Sequence, residues 1–256
     1  DLLKLLLLSQ NDQVVVQGLQ IAETMPWSKN EEALLLLVNG NKTSHPRIWM
    51  QLALSAGQWS DSWPADFIAM TLDEAAPESP LAGAALSSCL PHLTSICEQF
   101  AARAGRTRPN LIGTLLRCAL AAKNEKAIAA LVTRLDSQKG LEELLAVLDE
   151  KNLSLAAFAK QVTDAKAREA VEKMAARLQQ AAESIQTAPT MESLALLASD
   201  REHRETVKAL LPELWAKTGN TEVLRLVSKL QPQGGEQFLL EGWDQRTPAL
   251  RVQILE

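Results

Sequence analysis

Apolar residues along this chain recur at three- and four-residue spacing, in short blocks divided by Pro, Gly, Asn and Ser. That spacing puts them on one face of a helix, whereas a half-buried strand would alternate with period two. Three blocks align with one another: "NDQVVVQGLQIA" (11–22), "HPRIWMQLALSA" (45–56) and "SPLAGAALSSCL" (79–90), each 34 residues after the last. Asp12, Pro46 and Pro80 open the segments, and Val14, Ile48 and Ala82 fall on the same face. A fourth copy, "RPNLIGTLLRCAL" (108–120), comes about 30 residues later, and a partial one, "TPALRVQILE" (247–256), closes the chain. Each begins with an N-cap residue or a Pro in the first turn, where a missing N–H costs nothing. Further periodic stretches lie between them: "KNEEALLLLVNG" (29–40), "PADFIAMTLDEAA" (64–76), "HLTSICEQFAARAG" (92–105) and "NEKAIAALVTRLDS" (124–137). Helix, turn, helix therefore repeats every 30 to 35 residues, and sustained strand alternation is missing. The fold class this predicts is all-α.

A helix pair cannot bury its apolar face alone, but stacked pairs share a continuous core. The expectation is an α/α superhelix of about seven pairs forming one domain over 1–256. The repeat chemistry narrows its type. A tetratricopeptide array would want Tyr positions, and the chain has no Tyr; the ankyrin T-P-L-H is also absent. A Pro or Asp start followed by a small and aliphatic face most resembles HEAT and armadillo-like solenoids. One segment departs from the rhythm: residues 164–186 predict a longer helix with Asp164 as N-cap. Val171, Met174, Leu178, Ala181 and Ile185 form its stripe, with a Glu169–Lys173 pair outside.

Composition supports elongation, with 46% hydrophobic residues but only 4% aromatic. A net charge of −5 argues against a nucleic-acid partner, which would call for a basic stripe. The local group Arg103, Arg106, Arg108 reads as a solvated helix end. No apolar run reaches the length of a membrane span, so direct membrane insertion is not expected. The chain lacks an initiator Met and opens and closes inside helices, which reads as a segment of a larger protein.

Candidate chemistry is sparse. Cys89, Cys97 and Cys118 cannot all pair with one another, and His45, His92 and His203 are far apart, so neither a disulfide framework nor a zinc spacing emerges. Ser87, Ser88, Cys89 and His92 cluster in sequence as a nucleophile and base would. Helical phase turns Ser87 away from the stripe of Leu81, Ala85 and Ser88 or Cys89, and Pro91 detaches His92 from a helical offset. The small side chains read instead as close-packing positions, with Cys89 buried. Adjacent acidic pairs such as Glu31/Glu32, Asp73/Glu74, Glu142/Glu143 and Asp149/Glu150 point about 100° apart and read as solvated faces. No catalytic, cofactor-binding or metal residue is assigned. Four of the six tryptophans, Trp27, Trp49, Trp59 and Trp63, fall in one quarter of the chain. Because Trp is enriched at binding hot spots, they mark a candidate docking surface; wedges between repeats are the alternative.

The segments "PESPLAGAALSSCLPHLTSICEQFA" (77–101) and "PNLIGTLLRCALAAKNEKAIAALVTRL" (109–135), with "EQFLLEGWDQRTPALRVQILE" (236–256), carry a resemblance. Their order is similar to the helical region of the large haem-binding c-type cytochromes of planctomycetes. A serine pair precedes a leucine-rich helix, and Trp243, Pro248 and Arg251 follow the family's ending. The likeness implies a non-catalytic scaffold between a sugar-dehydrogenase-like propeller and a cytochrome c domain, placed outside the cytoplasm. Haem c would belong to that flanking domain, and the partners would be flanking domains of the same chain or another protein. A free-standing HEAT-repeat adaptor shares the same fold. A helical-repeat enzyme, such as a bilin lyase or DNA glycosylase, is the more distant alternative.

Overall fold

The computed structural model describes residues 2–25, 31–39, 45–59, 62–102, 109–135, 137–185, 187, 189–241, 243–245 and 247–255. Every regular element among them is helical, and no strand occurs. The chain divides into two compact units, Asp1–Arg134 and Leu135–Glu256.

In the first unit the helices are α1 (Leu2–Leu7), α2 (Asp12–Ala22), α3 (Glu31–Asn39), α4 (Pro46–Ser55), α5 (Ser62–Glu74), α6 (Pro80–Ser87), α7 (Leu93–Ala102), α8 (Pro109–Ala121) and α9 (Glu125–Val132). Their starts follow the chemistry read from the sequence. Asn11 and Ser79 accept from the backbone of the first turn, at Gln13 and Ala82, and Pro46 and Pro80 occupy the first helical position. Helices pack on the next but one along the chain: α2 on α4, α4 on α6, α5 on α7 and α7 on α9. The seam between them is aliphatic, with Leu19, Leu34, Leu37, Ile48, Leu52, Ile68, Leu93, Ile96, Leu115 and Leu116 inaccessible or nearly so. Burying each such side chain contributes roughly 1.5–3 kcal/mol.

The second unit comprises α10 (Gln138–Glu150), α11 (Leu155–Gln161), α12 (Ala165–Ser184), α13 (Met191–Ser199), α14 (Arg204–Thr218), α15 (Thr221–Leu230), α16 (Gly235–Leu240) and α17 (Pro248–Leu255). Its centre is α13, which touches α10, α12, α14 and α15. That position explains why α13 is apolar almost all round, burying Leu194, Leu196, Leu197 and Ala198. The long helix stands where the sequence put it. Asp164 caps it through Ala167 N at 2.9 Å, its stripe of Val171, Met174, Leu178 and Ala181 is buried against its own neighbours, and Glu169 pairs with Lys173 at 2.7 Å.

Candidate functional site

Helix C-termini leave carbonyls without intrahelical partners, and in the first unit the following repeat supplies those partners. Helix α2 ends at Ala22, whose carbonyl accepts from the Trp59 indole Nε1 at 3.3 Å. Helix α4 ends near Leu54 and runs into a 3-10 turn, Ala56–Gln58. The Leu54 carbonyl accepts from Ser88 Oγ at 2.8 Å, and the Ala56 carbonyl contacts His92 Nε2 at 3.1 Å. Since a carbonyl only accepts, Nε2 carries the imidazole proton. Glu23, just past α2, is gripped by Ser55 Oγ at 2.6 Å and by Gln51 Nε2 at 3.1 Å.

This arrangement assigns roles within residues 87–92. Helix α6 stops at Ser87; Ser88 and Cys89 lie in the turn that follows it, a correction to their expected place inside the helix. Ser87 is exposed and spends its hydroxyl on Ala84 O, so it is not a close-packing residue. Ser88 is, because a Cβ added to Gly57 would meet the Ser88 backbone at 3.0 Å. His92 is buried in a 3-10 turn, Leu90–His92, and bonds away from Cys89, so no nucleophile and base come together there.

The aromatic quarter resolves into separate roles. Trp27 and the Arg103, Arg106, Arg108 group lie outside the described residues. Trp59 is 3% exposed and belongs to the core clasp rather than to a surface. Trp49 and Trp63 are half-buried on either side of buried Phe67, edge-on at 5.1 Å and stacked at 5.2 Å between ring centroids. They act as a wedge between α4 and α5 with part of each indole facing outward. Exposed apolar residues, a signal absent from the tryptophan count, lie beside the clasp: Ile21, Met50, Leu54 and Leu90. Ile21, Leu54 and Leu90 sit at or just past the C-terminal ends of α2, α4 and α6.

The three thiols converge, which sequence separation concealed. Cys89 and Cys97 are buried and Cys118 is half-buried on α8. The neighbouring Cys89 thiol holds Cys118 down to about 7, with Arg117 adding to the effect. Cys118 in turn, followed by burial, pushes the Cys89 thiol up. Burial pushes Cys97 up to about 12, with the Cys118 and Glu98 charges adding to it. A signal was present in the sequence: Cys89 lies nine residues after Pro80, and Cys118 nine after Pro109.

In the second unit, Lys229 Nζ reaches Ser199 Oγ at 2.6 Å, and His203 Nδ1 reaches Asp200 Oδ2 at 2.6 Å. Ser199 is 2% exposed and donates its hydroxyl to Ala195 O, so it presents no nucleophile to solvent. Asp149 meets Arg204 at 2.8 Å, so this carboxylate bridges α10 to α14 rather than standing on a solvated face. A cleft of about 530 Å³ is lined by Lys139, Glu142, Glu222, Arg225 and Lys229 among others; Arg225 pairs there with Glu222, and the Gln138 amide donates to Glu142. Among the described residues no group of three His, Cys, Asp or Glu side chains could hold a metal ion, and no helix is long and apolar enough to cross a membrane. No protein-family model, curated protein or solved structure matches the chain.

Proposed function

We propose that this chain is a helical-repeat interaction module, an α/α superhelix of HEAT-like pairs that holds protein surfaces at a fixed spacing. The observation that carries the reading is the 34-residue register. It brings α2, α4 and α6 side by side, and the Leu54 and Ala56 carbonyls are taken up by Ser88 and His92 one repeat later. A chain organised this way gains rigidity by repetition and carries its function on exposed edges. The edge formed by Ile21, Met50, Leu54 and Leu90 supplies apolar area for a partner, and the outward parts of Trp49 and Trp63 add anchors. The resemblance to planctomycete-type cytochromes supports a sugar-dehydrogenase-like propeller and a cytochrome c domain as the held surfaces, with haem bound by the latter and the assembly outside the cytoplasm.

The test begins with the chain alone, which should show strong helical circular dichroism and no Soret band. The propeller and cytochrome domains of the same reading frame, supplied as separate polypeptides, should each bind it. Leu54→Glu combined with Leu90→Glu should weaken binding at least about tenfold while the helical signal is kept, because charges cannot enter an apolar contact cheaply. A Soret band on the chain alone, a reading frame without either domain, or undiminished binding by the double variant would each defeat the reading.

A further inference from the structure

We propose that the cleft over α13 binds a carboxylate carried on an apolar body, with Lys229 and Lys139 taking the charge and the floor of the cleft taking the body. The site lies wholly in the second unit and owes nothing to the first-unit edge. Helices α10 and α15 both pack on α13, and the cleft of about 530 Å³ is lined by all three. That volume falls within the roughly 300–1,000 Å³ usual for small-ligand sites. Its apolar lining is Met191 and Ala195, one turn apart on α13, joined by Leu226 from α15.

The charges decide the ligand. Arg225 and Glu222 satisfy each other at 3.1 Å, so that pair brings no net charge to the cleft. Lys229 Nζ is instead anchored at 2.6 Å by a neutral group, Ser199 Oγ, and forms no ion pair among the described residues. Ser199 is buried and donates its own proton to the Ala195 carbonyl, so toward the lysine it only accepts. The ammonium is thus fixed at the cleft with two further N–H donors unspent. Lys139, on α10, likewise pairs with no carboxylate among the described residues. Glu142 limits what these cations accept. The Gln138 amide donates to Glu142 Oε1 at 2.9 Å and to the Glu192 carbonyl at 3.2 Å, which ties the Glu142 carboxylate to the starts of α10 and α13. Two ammonium groups without a counter-ion then face one carboxylate without one, a surplus that a monoanion balances and a polyanion would exceed. A free acid and the C-terminus of a peptide both present this chemistry.

The experiment follows backbone amide shifts of the folded chain by NMR, with 4-phenylbutyrate and with the blocked tetrapeptide acetyl-Ala-Ala-Ala-Leu, each as the acid and as its neutral amide. At least one acid should move amides in 138–142, 191–195 and 222–229, with a Kd on the order of 1 mM. Its amide should bind at least about tenfold more weakly, because the charge-assisted bonds are lost. Saturation by phenylbutyrate alone identifies a free acid as the natural source and saturation by the peptide alone a chain terminus; either result supports the site. Lys229→Met keeps the aliphatic stem of an exposed residue and should weaken the acid at least about fivefold with the helical signal intact. Glu142→Gln keeps an acceptor for Gln138 but removes the repelling charge, so it should tighten the acid about twofold or more. Equal binding of acid and amide, an unchanged Kd in Lys229→Met, weaker binding in Glu142→Gln, or shifts centred on other helices would each overturn the proposal. So would the absence of shifts from both acids at about 20 mM.

Discussion

Gly57 is fixed by contact rather than by torsion. Its missing side chain is what lets the 3-10 turn Ala56–Gln58 lie against the Ser88 backbone, and an added methyl would have to displace main chain. Gly57→Ala should therefore cost about 1–3 kcal/mol, the usual range for overpacking, read as a lower urea midpoint at constant slope. Gln231 presents the opposite case. It closes α15 at φ 45°, a left-handed conformation that costs a side-chain-bearing residue roughly 1 kcal/mol and glycine almost nothing. Gln231→Gly should raise stability by up to about 1 kcal/mol in the same assay. Thr71 is fully buried, and its hydroxyl has no hydrogen-bond partner among the described residues. Thr71→Val keeps the shape and removes a desolvated polar group, so thermal unfolding should move upward, by about 1 kcal/mol in free energy.

At the level of elements, the sequence exposed whatever depends on local periodicity. The stripe of α12 and its Asp164 cap could be read directly, because helix phase and capping chemistry are properties of neighbours in sequence. Helix existence was legible for the same reason, and so was the burial of Cys89. The end of α6 was not. Ser87 through Cys89 carry no helix breaker of their own, and the stop becomes visible only once Ser88 is seen bonding Leu54 O, 34 residues away. Trp59 misled in a similar way, since a tryptophan on a docking face and one donating to Ala22 O look alike in one dimension. The thiol pair was hidden by a separation of nearly one repeat, although equal offsets from Pro80 and Pro109 recorded it. The clasp can be weighed directly. His92→Ala should destabilise the first unit by about 2 kcal/mol or more, through the lost bond to the Ala56 carbonyl and a cavity, measured by denaturant unfolding of the full chain.

Across the whole molecule the thiols also shape stability against pH. Cys118, held down to about 7 from an ordinary value of 9.0, contributes stability that is present above pH 9 and lost as pH falls through 7. Cys97 works in the reverse sense. Its stabilising effect is intact below 9.0 and disappears as pH rises toward 12, because the unfolded chain sheds a proton that the folded protein retains. Under reducing conditions wild-type stability should decline between pH 9 and pH 11 more steeply than that of Cys97→Ser. Urea midpoints across that interval check it, and parallel curves for the two proteins would contradict it.

The repeat clasp also sets an order of assembly. In the first unit the polar bonds that join one repeat to the next close over 28 to 37 residues, as in Gln51 to Glu23 and Trp59 to Ala22. In the second unit several ties to α10 and the turn after it close over longer spans: Gln138 to Glu192 across 54 residues and Arg204 to Asp149 across 55. Longer closure costs only a few tenths of a kcal/mol in chain entropy, but it also has to wait for more polypeptide. On a ribosome, α4 needs only α6 and the turn beyond it to have its carbonyls taken up, whereas α10 must stand incomplete until α13 and α14 have emerged. The N-terminal half is thus built to solidify course by course as it is made, and the C-terminal half to set in one later step around α13.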